Sequence, residues 1–218
     1  MQVAVDGPAG AGKSTIARIL AEKLQLIYID TGAMYRALTW KALKLKIALD
    51  DEEKLYNLAK DTSIYFLQAT GKQGIYCDAV EVSDFIRSPD VNDKVSLLAA
   101  HSRLRKVMVE KQREMALDKS VIMDGRDVGE CILPHADYKF FITASLQERA
   151  SRRMIDLQRQ GHKDDYDRVK CLLRKRDESD SSRETGSLKI LNDSIVINTD
   201  RKEVEEVVAE ILSIIKDN

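Results

Sequence analysis

The chain has 218 residues, 44% of them hydrophobic and 33% charged, with 35 Lys and Arg set against 36 Asp and Glu. That length suits one α/β domain with modest insertions, and a net charge of −1 excludes a global pull toward nucleic acid or a membrane surface, so anion binding must come from local arginine clusters. No apolar run approaches the ~20 residues of a membrane span, the N-terminus has no cationic start or apolar signal core, and Cys77, Cys131 and Cys171 have neither disulfide nor zinc spacing, so a cytoplasmic protein with free thiols is expected.

Residues 2–5 predict a short apolar strand that runs into Asp6 and the glycine-rich stretch 7–15. Ile16, Ile19, Leu20 and Leu24 then repeat at helical spacing. A second strand over 26–29 ends at Asp30-Thr31-Gly32, and a helix is expected from 33 to about 44. Strand, loop, helix, strand, helix is the opening of a doubly wound parallel sheet. After a helix over 51–61 the texture changes. Ser63 to Leu67 is β-rich, 70–74 reads as a turn, and 75–77 and 80–82 follow, which predicts a small antiparallel meander inserted into the main domain. A charged helical stretch is expected over about 91–117, strands over 120–123 and 138–143, a charged helix over 146–160 stopped by Gly161, and another helix over 165–178. A last strand over 195–198 and a helix over 202–215 complete the pattern.

Gly7, Pro8, Ala9, Gly10, Ala11, Gly12, Lys13 and Ser14 fit G-x-x-x-x-G-K-[ST] at every fixed position, with Thr15 next, and the strand before and helix after supply the context the motif requires. Glycines let the backbone curl so that several N–H groups and a helix N-terminus point at one anion. Lys13 adds a mobile cation for the β- and γ-phosphates, and Ser14 offers its hydroxyl to Mg²⁺. The loop therefore implies use of ATP or GTP. The N-K-x-D motif of guanine readers is absent from the sequence, and the Walker-B-like Val121-Ile122-Met123-Asp124 is followed by Gly125 in place of the second acid of motor and AAA proteins.

Moving a phosphoryl group onto another phosphate brings two anions together, so positioning and charge neutralisation supply most of the catalysis. Several arginines should converge on one cleft, because the guanidinium fork binds phosphate bidentately and keeps its charge. The candidates stand beside the expected strand ends, where open α/β sheets bind ligands. Arg36 follows Asp30-Thr31-Gly32-Ala33-Met34-Tyr35, Arg126 lies in Asp124-Gly125-Arg126-Asp127-Val128-Gly129, and Arg176 and Arg183 bracket the run from 176 to 183. His101, His135 and His162 are scattered, and a phosphate acceptor is already an anion that needs no base. Trp40 reads as core.

Taken together, these three arginine-bearing stretches resemble those of bacterial cytidylate kinases, P-loop members of the nucleoside monophosphate kinases, and the resemblance covers essentially the whole chain. The meander, ending in Val82-Ser83-Asp84-Phe85-Ile86-Arg87, is similar to the extra piece that marks that family. The resemblance implies a core of parallel sheet and flanking helices over about 1–45, 88–150 and 179–218. It also implies a monophosphate-binding insertion over about 62–87 and a helical lid over about 151–178. The implied reaction is transfer of the γ-phosphoryl group of Mg·ATP to CMP or dCMP. Lys13, Arg126, Arg176 and Arg183 would form the catalytic set. Arg36, Arg126 and Arg183 would hold the CMP phosphate or the group in flight, and Arg176 and Asp180 the ribose. Ser96, Arg105 and Asp127 would read the cytosine edge, with Arg103 competing for the second of these roles, and Thr31 and Tyr35 would stand among the substrate contacts. Arg149, Arg152, Arg153 and Arg159 read either as lid arginines over ATP or as solvated helix surface. Asp30 reads as a helix cap or as a group near Mg²⁺, and Asp124 as an Mg²⁺-linked group or a structural acceptor. The competing functions are a kinase of the same fold for UMP, AMP or a metabolite hydroxyl, and a non-catalytic nucleotide switch. Balanced charge and the lack of an RNP-like aromatic pattern oppose RNA binding, and a monomer is expected.

Overall fold

The computed structural model describes residues 1–69, 72–159, 161 and 163–217. Strand β1 (Gln2–Asp6) is buried from Val3 onward, and the glycine-rich loop leads from it into α1 (Lys13–Leu24), whose Ile16, Ala17, Leu20 and Ala21 form the buried stripe. Strand β2 (Ile27–Asp30) passes directly into α2 (Thr31–Lys44). The helix starts earlier than the expected residue 33 because the Asp30 carboxylate accepts the Ala33 N–H at 2.7 Å, satisfying one of the orphan donors of the first turn. Helix α3 (Glu52–Asp61) is capped in the same way by Asp51.

Strands β3 (Ile64–Ala69), β4 (Lys72–Cys77) and β5 (Val80–Glu81) make the expected antiparallel meander, with Tyr65 facing Tyr76 across it. Of the turn expected at 70–74, residues 70 and 71 lie outside the described residues, and 72–74 belong to β4. The helical stretch expected over 91–117 forms two helices, α4 (Pro89–Leu98) and α5 (Ser102–Ala116). No glycine or proline marks the break in sequence. It falls where the His101 ring meets the Leu49 carbonyl at 2.7 Å, a tertiary contact that a local pattern does not carry.

Strand β6 (Val121–Asp124) is followed by a single π-helical turn over Val128–Ile132, then β7 (Tyr138–Thr143) and α6 (Leu146–Arg159). The expected end of α6 at Gln160 lies outside the described residues, as does His162; Gly161 has φ of +80°, which suits a helix stop. Helix α7 (Tyr166–Ser181) runs past the expected residue 178 and so carries Asp180 on its last turn. Strand β8 (Ile195–Asn198) and α8 (Val204–Lys216) complete the chain.

Two compact units emerge, one of Met1–Tyr28 with Asp118–Asn218 and one of Ile29–Leu117. The first is built on a sheet of order β2-β6-β1-β7-β8. Strand β1 lies parallel between β6, with Val3 beside Ile122, and β7, with Val5 beside Phe140. Its core joins Val3, Val5, Ile122, Phe140 and Ile142 of the strands to Leu20 of α1 and Val207, Val208 and Ile211 of α8. A parallel sheet covered by helices needs apolar side chains on both faces, which explains the nearly continuous hydrophobic runs of its strands. The loops at the C-terminal ends of β1, β6 and β7 are where ligands bind in such sheets. In the second unit α2 packs on α4 and β4, and α3 packs on α5. Trp40 is half-buried there, stacked on Phe85 with centroids 6.0 Å apart. No helix among the described residues is long and apolar enough to cross a membrane.

Candidate active site

The phosphate loop lies against the sheet so closely that Gly7 has room for no side chain. Its φ is +145°, and a Cβ there would fall 1.9 Å from the backbone oxygen of Ile142 in β7. Helix α1 then starts after Gly12 with no side-chain cap and no acid in its first turn, so its N–H groups and dipole suit an anion. Lys13 is 5% exposed, and its ammonium donates to the Pro8 carbonyl at 2.8 Å. Burial, aided by the charges of Arg126 and Arg176, lowers its pKa from 10.5 to about 7, against the opposing pull of Asp124 and Asp180. Ser14 Oγ donates to Asp124 Oδ2 and the Tyr28 hydroxyl to Asp124 Oδ1, both at 2.7 Å. Asp124 is thus a structural acceptor and also a carboxylate beside the Ser14 hydroxyl. Two hard oxygen donors at the first turn of this helix suit Mg²⁺.

The same unit brings together the arginines of the β6 loop and of α7. Arg126 Nε donates to Asp180 Oδ2 at 2.7 Å and its Nη1 to the Gly125 carbonyl at 3.0 Å, while Arg183 Nη2 grips Asp180 Oδ1. Burial works against ionisation of Asp180, yet the charges of Arg126, Arg183 and Arg176 outweigh it and hold its carboxyl below the usual range. The reciprocal effect keeps Arg126, itself half-buried, charged, with Asp180 opposing the desolvation. Arg176 is half-buried on α7, and Asp127 is 7% exposed at the start of the π-helical turn. Four positive groups, from Lys13 to Arg183, therefore surround one buried carboxylate, a site preset for polyanions.

Two of the four arginines of α6 meet protein acceptors in and around the phosphate loop. Arg149, 6% exposed, donates from Nε to the Ala144 carbonyl at 3.0 Å, and from Nη1 to the Ala9 carbonyl of the phosphate loop at 3.1 Å and to Asp177 Oδ2 of α7 at 2.6 Å. Its stem presses on the loop, for a Cβ on Gly10 would come 3.2 Å from that of Arg149. Arg152 holds the side chain and carbonyl of Thr199 at 2.9 and 2.6 Å, and the Thr199 hydroxyl in turn reaches the Ala11 carbonyl at 3.3 Å. Arg153 is half-buried and Arg159 exposed. Asp6, to which the sequence attaches no role, is a buried carboxylate that accepts the Val128 and Gly129 N–H groups at 2.9 and 2.8 Å. No motif position flags Arg149 or Asp6; the available signal is their adjacency to strand ends.

In the second unit Thr31 opens α2 and is buried with Tyr35, and Arg36 pairs with Asp30 at 3.0 Å. Asp30 is thus committed to the α2 cap and to Arg36. The Nε of Arg36 is buried with no hydrogen-bond partner among the described residues, a donor left for an anion. Arg105 is 3% exposed, with its guanidinium carbon 5.5 Å from the Tyr35 ring centroid and Nη1 3.3 Å from the Ala99 carbonyl. Arg103 is instead at the surface, paired with Glu53 at 2.6 Å and lying over Tyr56. Ser96 is half-buried on α4.

Compared with known sequences, residues 3–217 match the model of the family described as cytidylate kinase. The chain belongs to the cytidylate kinase family. The cytidylate kinase of Symbiobacterium thermophilum is 51% identical over 211 residues, which cover 96% of this chain and 93% of that one. The cytidylate kinase of a Geobacillus species is 44% identical over 217 residues, covering 100% and 97%. Among solved structures, the shikimate kinase of Bacteroides thetaiotaomicron superposes with a TM-score of 0.52 at 13% identity, covering 99% of this chain and 98% of that one. That is a likeness of fold alone. Membership of the cytidylate kinase family carries phosphoryl transfer from ATP, so the cluster of arginines and Lys13 belongs to a kinase.

Proposed function

We propose that the chain transfers the γ-phosphoryl group of ATP to CMP or dCMP, with Lys13, Arg126, Arg176 and Arg183 as the catalytic set. The observation that carries this assignment is the convergence of Arg126 and Arg183 on Asp180, in the unit that also holds the phosphate loop and Lys13. The phosphate loop binds the donor through its N–H groups and Lys13. Arg126 and Arg183, oriented by Asp180, face the charge that builds up on the transferring group, where fixed cations act most strongly. Arg176 and Asp180 hold the acceptor ribose, and Arg36 its phosphate. Mg²⁺, held at the Ser14 hydroxyl beside Asp124, supplies neutralisation of charge on the ATP phosphates when bound.

Cytosine presents an amino donor and the acceptors N3 and O2. A carboxylate such as Asp127 suits the donor, and Arg105 with Ser96 suits the acceptors. Uracil puts a carbonyl where the amino group stood, and a buried carboxylate facing an acceptor is penalised by about 1–3 kcal/mol or more. The meander over 62–87 serves as part of the monophosphate clamp, and 151–178 as a lid that excludes water, the competing acceptor. A monomer in the cytoplasm is the state in which the enzyme works.

ADP release from Mg·ATP with CMP, dCMP, UMP, AMP and GMP tests the assignment. Strong turnover of CMP and dCMP alone is expected. Turnover of a different monophosphate would remove the cytosine-reading roles of Ser96, Arg105 and Asp127, and no turnover with any would leave a nucleotide-binding switch. Arg126→Ala should lower kcat by about 10³-fold or more, as cations on a transferring phosphoryl group do elsewhere. A change confined to KM would leave Arg126 only a binding role.

A further inference from the structure

The loop after β6 carries Arg126 and Asp127, and it is tied to β1 on both sides of that pair. On the near side the Gly125 N–H donates to the Val5 carbonyl at 3.0 Å. On the far side the N–H groups of Val128 and Gly129 donate to the two carboxylate oxygens of Asp6 at 2.9 and 2.8 Å. Val128 and Gly129 open a π-helical turn whose N-cap residue is Asp127, yet Asp127 makes no side-chain cap bond to it. The cap comes instead from another strand. A helix start normally takes its acceptor from the N-cap side chain itself, so delivery of the cap by Asp6 is a specific arrangement and not a by-product of local sequence.

Asp6 is also the residue immediately before Gly7, where the phosphate loop begins. One side chain therefore joins the first residue of the donor loop to the loop that bears Arg126. We propose that Asp6 is a positioning residue, whose paired hydrogen bonds to Val128 and Gly129 hold Arg126 and Asp127 in register with the phosphate loop. The arrangement carries a thermodynamic cost. Burial raises the Asp6 pKa to about 6, a tendency that the two N–H bonds and Lys13 oppose and the charge of Asp127 reinforces. Lys139 of β7 also passes close by, its Cδ and Asp6 Oδ2 lying 3.2 and 3.4 Å from where a Gly129 Cβ would stand. An amide would fill the space without that burden, but it has only one acceptor for the two donors.

Asp6→Asn keeps the shape and turns one acceptor into an NH₂ group that faces an N–H. It should lower kcat with CMP at least tenfold, leave the Kd of ATP measured without CMP within threefold, and speed amide exchange at Val128 and Gly129 at least tenfold. The amides of Val3 and Phe140, which report the sheet, should keep their protection. Gly129→Ala perturbs the same contact from the loop side and should move these quantities in the same direction by a smaller factor. A kcat within twofold of wild type, or unchanged exchange at Val128 and Gly129, overturns the proposal. So does a loss of kcat that comes only with parallel loss of ATP affinity and sheet protection, since that reports general damage. The proposal rests on Arg126 acting on the acceptor or transferring phosphate. Arg126→Ala with unaltered kcat would defeat that reading, whereas the exchange at Val128 and Gly129 tests the Asp6 anchor itself.

Discussion

Arg149→Met removes a guanidinium while keeping most of the apolar stem, and its cost can be worked from the three partners. The Ala144 and Ala9 carbonyls lose their donor, at about 1–3 kcal/mol for each acceptor left buried and unpaired. Asp177 loses its cation, and its other oxygen, Oδ1, is already buried with no partner among the described residues. Breaking a buried pair costs about 3–5 kcal/mol, but the Asp177 side chain is 21% exposed and regains some hydration. The contributions overlap, so a total loss of about 3–5 kcal/mol is expected. At about 2–4 °C per kcal/mol for a chain of this size, the melting temperature should fall by roughly 6–20 °C. Arg149→Lys keeps the charge but has one nitrogen for three acceptors, and about half the loss is expected. The affinity for ATP should drop as well, because Ala9 sits in the phosphate loop and Gly10 packs on the Arg149 stem. Thermal and urea denaturation together with ATP titration make the measurement. A melting temperature within about 2 °C of wild type, with kcat reduced, would refute the brace and restore Arg149 to the lid as an ATP contact.

Three further outcomes follow from geometry. Gly7→Ala places a methyl group 1.9 Å from the Ile142 carbonyl and should destabilise the sheet by about 3 kcal/mol or more with loss of ATP binding; a cost below about 1 kcal/mol in urea denaturation would contradict this packing. The Asp6 carboxyl, raised from 3.8 to about 6, binds its proton more tightly in the folded than in the unfolded chain. Its ionisation therefore subtracts stability as pH rises from about 4 to 6, by about 3 kcal/mol in all at ~1.4 kcal/mol per tenfold change in protonation. The stability of Asp6→Asn relative to wild type should climb across that window and level off above it, and a pH-independent difference in urea midpoints would count against the burial of that charge. Among the thiols, Cys171 is exposed, Cys131 half-buried, and Cys77 buried with its pKa pushed up to about 11, mainly by desolvation. Ellman's reagent should label Cys171 first and reach Cys77 only in denaturant, and early labelling of Cys77 would show that the meander opens in the native state.

Much of this molecule was legible in one dimension because its signals are local. The phosphate loop is a run of consecutive residues whose glycines and lysine act on the same anion. The parallel strands announce themselves as short apolar runs because a sheet covered on both faces tolerates little else, and the meander shows through its β-branched and aromatic residues and its glycines. Arg36, Arg126, Arg176 and Arg183 stood out because three motif-bearing stretches carried them to the expected ends of strands and helices. The tertiary structure alone decided which arginines face buried acceptors. Nothing in the charged helix over 146–159 distinguishes Arg149, which reaches the phosphate loop and α7, from Arg159, which is exposed. The split of α4 from α5 depends on His101 meeting Leu49, 52 residues away in sequence. Asp6 gains its meaning only from Val128 and Gly129, more than 120 positions along the chain. Side-chain periodicity and motif spacing encode what a segment does with its own neighbours, whereas burial and hydrogen-bond partners are set when distant segments pack, and the buried carboxylates and guanidiniums of this enzyme belong to that second class.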